Sequence, residues 1–251
     1  MKALILVAHP DDECIGAGIW MRRHREDEIF LVHATDGSPR DVAFAKNAGF
    51  DSREEYSVVR RGELANALAL VPVPSSRCFQ LGVTDQETVL SLSYLTRAAL
   101  QLTKQISPDV LISPAYEGGH PDHDAMAFVA AKIKKIHPSI EHLEFPLYHA
   151  DSRGNMKTGC FLDGDEEFSL HLTLEERCLK TSMFATFQSQ QQVLSNFEIA
   201  VEKFRIARAY DFSRRPHAGQ LLYEAWGWKV SGAPWDPRSE WGLSSPTAAR
   251  K

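Results

Sequence analysis

The chain has 251 residues, 43% of them apolar and 24% charged, with a formal net charge of −5. That length suits one large domain, or a core with a small appendage. The interspersed, slightly acidic balance lacks the basic footprint of a nucleic-acid binder, and no apolar run reaches the roughly 18 residues that a membrane helix needs. In chain order, the run Ala3–Ala8 is short, apolar and stopped by Pro10, which predicts a buried parallel strand. It leads straight into His9-Pro10-Asp11-Asp12-Glu13 with no small-residue cleavage site, so it reads as a first strand of a cytoplasmic protein and not as a signal peptide. A helix is expected over about 15–25, where Gly16 and Gly18 allow close packing and the three carboxylates sit at the favourable end of its dipole. Ile29–Ala34 is a second buried strand, closed by the polar turn Thr35-Asp36-Gly37-Ser38-Pro39.

Residues 40–50 have no clear period and read as a surface loop or lid. Asp51 or Ser52 caps the helix that follows, with Glu54 and Glu55 in its first turn. Arg77–Leu81 is a third strand, and Gly82–Asp85 a turn. A helix over about 87–104 precedes the fourth strand, Val110–Ser113. The loop Pro114–His123 then opens a helix over about 124–136, and Leu143–Tyr148 is a fifth strand. This alternation implies a parallel sheet with helices on both faces. Beyond it, strands are expected at 161–162 and 168–172, helices at 174–184 and 193–204, and a final strand or loop at 221–230. Trp226 and Trp228, two apart, would share one face of a strand; sugar stacking on such rings is an alternative, and a core or subunit contact is the expectation. The four cysteines are scattered with no Cys-x-x-Cys, which suits free thiols in a reducing compartment.

Two polar clusters end apolar runs: His9–Glu13 after the first, and His120-Pro121-Asp122-His123 after the fourth. Buried charge at such points is costly unless it is paired or holds a metal. With strand order 3-2-1-4-5, the first and fourth strands are neighbours, and both clusters face the crevice where the strand order reverses. Two histidines and a carboxylate leave a metal with open positions. His9, Asp12 and His123 are the expected ligands. Asp11 is then free to act as general base on the attacking water, whose pKa a divalent ion lowers to about 7. His120, if protonated, stabilises the oxyanion or protonates the leaving nitrogen. Glu13 and Asp122 are supporting groups, Asp122 by orienting His120. Asp36 and Tyr116 are equally well read as site residues or as plain loop residues. The remaining histidines read as structural or surface groups. Donors of this kind accept Zn2+, Fe2+ or Co2+.

These residues resemble the PIG-L/LmbE-like zinc-dependent N-deacetylases: Ala8-His9-Pro10-Asp11-Asp12-Glu13 first, then His120-Pro121-Asp122-His123. The likeness runs over roughly 2–148. It implies a Rossmann-like doubly wound α/β core over 1–150, to which the residue pattern adds a small C-terminal β/helical extension over 151–240 and, where apolar residues run out, a flexible tail over 241–251, in one domain. It also implies hydrolysis of the N-acetyl group of an N-acetylglucosamine-type small molecule, with zinc on His9, Asp12 and His123, Asp11 as base and His120 as electrostatic or acid group. Arg60 with Glu63, and Asp85 in Leu81-Gly82-x-x-Asp85, resemble substrate-contacting positions of that family. Phe187-Gln188-Ser189-Gln190 resembles its aromatic-x-Ser-Gln segment. An amidase for a larger acyl group or a sugar–thiol conjugate, an iron oxygenase, and a non-catalytic metal-containing sugar-binding protein stay open. A homo-oligomer is compatible with all of them.

Overall fold

A computed structural model describes residues 1–71, 73–164 and 166–228. The first half is the expected alternation. In order it comprises β1 (Lys2–Val7), α1 (Asp12–Arg23), β2 (Glu28–Pro39), α2 (Val42–Asn47), α3 (Arg53–Leu68), β3 (Cys78–Asp85), α4 (Leu92–Ile106), β4 (Val110–Pro114), α5 (Pro121–Ile136) and β5 (Glu141–Phe145). β1, β2, β3, β4 and β5 pair in parallel in the order 3-2-1-4-5. Alternation along β1 splits the core. Ala3, Ile5 and Val7 join one cluster with Trp20, Leu64 and Met183, and Leu4, Leu6 and Ala8 join the other with Leu95, Val129 and Ile133. Ser52 caps α3 by accepting from the Glu55 amide at 3.1 Å.

Several local expectations change. Residues 42–47 form a short helix capped by Asp41, and β3 runs through the expected turn as far as Asp85. A separate two-stranded sheet pairs β6 (Tyr148–Ala150) with β7 (Met156–Thr158). The region 161–162 is irregular, while β8 (Phe168–His171) is a strand. α6 (Leu174–Thr186) is helical as expected, with the Thr173–Glu176 capping box at its start. The helix expected over 193–204 does not form. Only α7 (Gln191–Leu194) is helical, and Val201–Ile206 is β9. β9 pairs antiparallel with β5, and β8 with β9, so the main sheet has the order 3-2-1-4-5-9-8. The spacing of Val193, Phe197, Val201 and Phe204 imitates a helix. What fixes the strand is that its charged residues point inward: Glu202 is 2% exposed and Arg205 3%, the latter paired with Glu144 at 2.7 Å. In the stretch expected as a final strand or loop, Leu222–Ala225 form the short helix α8, and 226–228, with Trp226 and Trp228, are a turn and loop and not a strand. Residues 229–230 and the expected tail at 241–251 lie outside the described residues.

Glu202 also repairs a fault in α1. Gly16 passes so close to Phe145 that a Cβ there would lie 2.1 Å from its ring, and the helix breaks at Ala17 (φ −140°, ψ 16°). The break frees the Ile15 carbonyl and the Ile19 and Trp20 amides. Glu202 accepts from those amides at 2.7 and 2.8 Å, and Lys180, itself 1% exposed, donates to the Ile15 carbonyl and to Glu202, both at 2.7 Å. Removing one partner strands a buried charge. Glu202→Gln is therefore expected to lower unfolding stability by about 3–5 kcal/mol, and Lys180→Met/Glu202→Leu by at least as much, because it leaves the Ile15 carbonyl and the Ile19 and Trp20 amides buried without partners. Chemical denaturation of the two variants checks this. A loss in the double variant much smaller than in Glu202→Gln would place the stabilisation in charge pairing and not in the freed backbone groups.

Candidate functional site

β1 ends at Val7, and the next four residues turn into α1, so His9, Asp11 and Asp12 stand at the carboxyl end of β1. β4 ends at Pro114, and its loop delivers His120 as the N-cap of α5, with His123 in the first turn. The loop must pass under β6: a Cβ on Gly119 would lie 1.8 Å from the Tyr148 carbonyl oxygen. The two clusters, 114 positions apart in sequence, meet directly. His9 Nδ1 lies 3.1 Å from His123 Nε2 and 3.5 Å from Asp12 Oδ2, and His123 Nε2 lies 3.2 Å from Asp12 Oδ1. All three residues are buried, with exposures of 7, 4 and 2%.

These three donors suit a divalent cation. Bonds of about 2.0–2.2 Å in tetrahedral geometry separate the ligand atoms by about 3.3–3.6 Å; His123 Nε2 lies 3.1 Å from His9 Nδ1 and 3.2 Å from Asp12 Oδ1, and one donor atom of each of the three residues lies within 4.8 Å of the others. Asp12 Oδ2 is clamped by the Ala8 and His9 amides at 3.1 and 2.8 Å, which leaves Oδ1 toward His123. The far side of His9 is buttressed as metal-binding imidazoles are. Its Nε2 lies 3.1 Å from Asp85 Oδ1 and 3.2 Å from Asp122 Oδ2. Atoms of His9, Asp85, His120 and Asp122 also lie close enough to form a second donor set. That set would use the opposite nitrogen of His9, and Asp122 is already engaged: it accepts from the Gln86 amide at 2.7 Å and the Thr88 hydroxyl at 2.5 Å. His9, Asp12 and His123 are the better set, because their metal-facing atoms have fewer competing partners.

Charge in the cluster is strongly coupled to burial. Burial alone would push the His9 pKa down, but Asp85 and Asp12 outweigh it and hold the imidazole well above its usual value. Burial would raise Asp12, but His123 and His9 pull it well below the usual carboxylate range. For Asp11 burial wins over the nearby Arg60 charge, and its carboxyl is pushed up to about 7. For His120 burial, reinforced by His9, lowers the pKa well below the ordinary imidazole value. His120 Nδ1 accepts from the Asp122 amide at 3.1 Å, so the neutral ring carries its proton on Nε2, 3.6 Å from Asp85 Oδ1.

The structure redistributes the supporting roles. The Asp122 carboxylate faces His9 and not the His120 ring; only its backbone amide reaches His120. Glu13 turns away from the site into a fully buried pair with His33 Nε2 at 2.9 Å, which accounts for one histidine read as structural. Arg60, expected at substrate, is 3% exposed. It donates to Asp11 Oδ2 at 2.8 Å and to the Gly37 and Pro10 carbonyls at 2.6 and 3.1 Å. Glu63 on the next turn accepts from the Ser189 amide and hydroxyl at 2.8 and 2.6 Å, so two motifs of the resemblance meet each other. Asp85 is 6% exposed and reaches His9. Asp36 is engaged by Arg53 at 2.5 Å. Tyr116 packs against Tyr210 and Phe212, with its hydroxyl on the Arg214 carbonyl at 2.9 Å. Trp228, expected first as a core or subunit contact, stands at the site: its ring meets the His120 ring edge to face at 4.9 Å. No local pattern marks it, because more than a hundred residues separate the two.

The chain resembles known proteins in sequence and in fold. Residues 4–134 match the family model PIG-L, GlcNAc-PI de-N-acetylase. A 1D-myo-inositol 2-acetamido-2-deoxy-alpha-D-glucopyranoside deacetylase from Catenulispora acidiphila is 29% identical over 156 residues, 54% of this chain and 48% of that protein. A probable N-acetyl-alpha-D-glucosaminyl L-malate deacetylase from Bacillus subtilis is 28% identical over 130 residues, 49% of this chain and 55% of that protein. The chain thus spans about half the length of the curated relatives it matches. The crystal structure of a deacetylase of teicoplanin biosynthesis shares the fold, with a TM-score of 0.66 and 13% identity over 84% of this chain and 100% of that one. With the family model covering more than half of its residues, the chain belongs to the PIG-L (GlcNAc-PI de-N-acetylase) family.

Proposed function

We propose that this site hydrolyses the acetamido group of an N-acetylglucosamine-type small molecule, releasing acetate and a free amine. The observation that carries the reading is the convergence of His123 Nε2 on His9 Nδ1 at 3.1 Å and on Asp12 Oδ1 at 3.2 Å, with Asp11, the neighbour of Asp12 in the chain, held by Arg60 at 2.8 Å. His9, Asp12 and His123 would hold a divalent ion, zinc by the chemistry of the donors, with iron or cobalt as the other ions they accept. Bound there, the ion supplies Lewis-acid polarisation of the amide and makes water acidic near neutral pH.

The chain's own groups do the rest. Asp11 accepts the proton of the attacking water and returns it to the leaving nitrogen. Arg60 fixes Asp11 Oδ2, which leaves Oδ1 for that exchange. His120 presents Nε2–H to the developing oxyanion. With its Nδ1 occupied and its pKa lowered, it acts as a neutral donor and not as an acid. Asp85 and Asp122 orient His9. The C-terminal extension belongs to the same single domain in this reading, since β9 and β8 complete the main sheet. The test is acetate release from N-acetylglucosamine derivatives after chelation and after zinc, iron or cobalt is restored. Activity should vanish on chelation and return with metal. Turnover indifferent to chelation rejects the metal, and oxygen-dependent turnover would favour an oxygenase.

A further inference from the structure

The acetamido group of a pyranose is one bond from a ring carbon, so in the proposed reaction the ring lies against whatever flanks His120 and His123. In this structure aromatic rings flank them. The Trp228 ring meets His120 at 4.9 Å and 76°. Trp226 lies against Trp228 at 5.2 Å and against Tyr148 at 6.2 Å, and Tyr148 meets His123 edge to face at 5.2 Å. The three rings therefore form an arc that begins on one site histidine and ends on the other. Phe44 of α2 continues it beyond Trp228 at 6.3 Å.

The arc is anchored to the loop that carries His120. The Leu222 amide donates to the Gly118 carbonyl at 3.0 Å, and the Tyr223 hydroxyl reaches Asp124 Oδ2 at 3.3 Å. The Trp228 amide donates to the Tyr223 carbonyl at 3.0 Å. A Cβ on Gly118 would lie 2.5 Å from Leu221, so the two segments are in close contact. Trp226 nevertheless stays 44% exposed, while Trp228 and Tyr148 are half-buried. Indole rings fixed in place and still open to water are unusual for a core. They suit a ligand with one apolar face and polar edges. A pyranose has such a face in its C–H bonds, and none of the three rings brings a charge that would call for an ionic substituent.

We infer that Trp228, with Trp226 and Tyr148, is the stacking platform for the pyranose that carries the acetamido group, and so a specificity-determining element supplied by the C-terminal segment. The inference rests on the proposed deacetylase reading. The experiment compares the full-length metal-loaded protein with Trp228→Ala and Trp228→Phe on a methyl glycoside of N-acetylglucosamine and on the ring-less N-acetylethanolamine. Tryptophan fluorescence titration with the glycoside gives binding without turnover. Expected for Trp228→Ala are a rise in KM for the glycoside of at least tenfold with kcat changed far less, a matching loss of binding, and a loss on N-acetylethanolamine at least tenfold smaller. Trp228→Phe should recover most of the glycoside KM. Unchanged glycoside KM and binding, or an equal loss on both substrates, overturns the platform. So does a changed oligomeric state with KM intact. Wild-type protein that binds the glycoside through Trp228 but releases no acetate would reject the deacetylase reading and leave the platform standing.

Discussion

His123→Ala should remove bound metal and, with it, at least about three orders of magnitude of acetate release, the scale of losing several kcal/mol of electrostatic stabilisation. Three donor atoms define the proposed site, and His123 Nε2 is the one that closes it, 3.1 Å from His9 Nδ1 and 3.2 Å from Asp12 Oδ1. Two donors from one short loop remain after its loss, and a mobile ion is then shared with water. Asp85→Asn is a graded control. It leaves all three ligands but weakens the hydrogen bond behind His9, so metal affinity should fall by about 10–100-fold while residual activity persists at saturating metal. Metal analysis after dialysis, with unfolding curves to exclude collapse of a residue that is 4% exposed, checks both. A His123→Ala protein that keeps one equivalent of metal would move the ion to the other donor set, on the Nε2 side of His9.

The parts of this arrangement that were legible in the chain are those where local chemistry is one-sided. The apolar runs of β1, β2 and β4 are buried on both faces and read as strands without ambiguity. The crowded carboxylates after β1 and the paired histidines after β4 have no inexpensive structural alternative, so their convergence followed from strand order alone. What escaped was set by contacts far apart in sequence. β9 reads as helix from the spacing of Val193, Phe197, Val201 and Phe204, whereas Lys180, two α1 amides and Glu144 make its Glu202 and Arg205 interior groups of a strand. Arg60 on a helix rich in charge could not be told from its neighbours. Only the fold brings Pro10, Asp11 and Gly37 around it. Asp122 beside His120 invited a local pairing, yet the first turn of α5 aims its carboxylate at His9. Trp226 and Trp228 carried the right chemistry, but nothing nearby in sequence said that their segment returns to the site.

Asp11→Asn separates the two adjacent aspartates. The carboxamide has the same shape but cannot take a proton, so kcat should fall by about 10²–10⁴-fold with metal content unchanged. If the roles are reversed, metal is lost from Asp11→Asn and retained by Asp12→Asn. The geometry favours the first outcome. Asp12 Oδ1 lies 3.2 Å from His123, whereas Asp11 Oδ2 points to Arg60 at 2.8 Å. Arg60 extends the test. Because its guanidinium is buried against Asp11, Arg60→Ala should lower kcat mainly by releasing that carboxylate, and the double variant Arg60→Ala/Asp11→Asn should be little worse than Asp11→Asn alone. Both residues are buried, so a cycle measured on kcat must be accompanied by stability measurements on the same four proteins. An Arg60 that instead grips substrate directly would weaken glycoside binding by the same factor whether residue 11 is Asp or Asn. Additivity in binding therefore assigns Arg60 to the ligand, and non-additivity in kcat assigns it to the base.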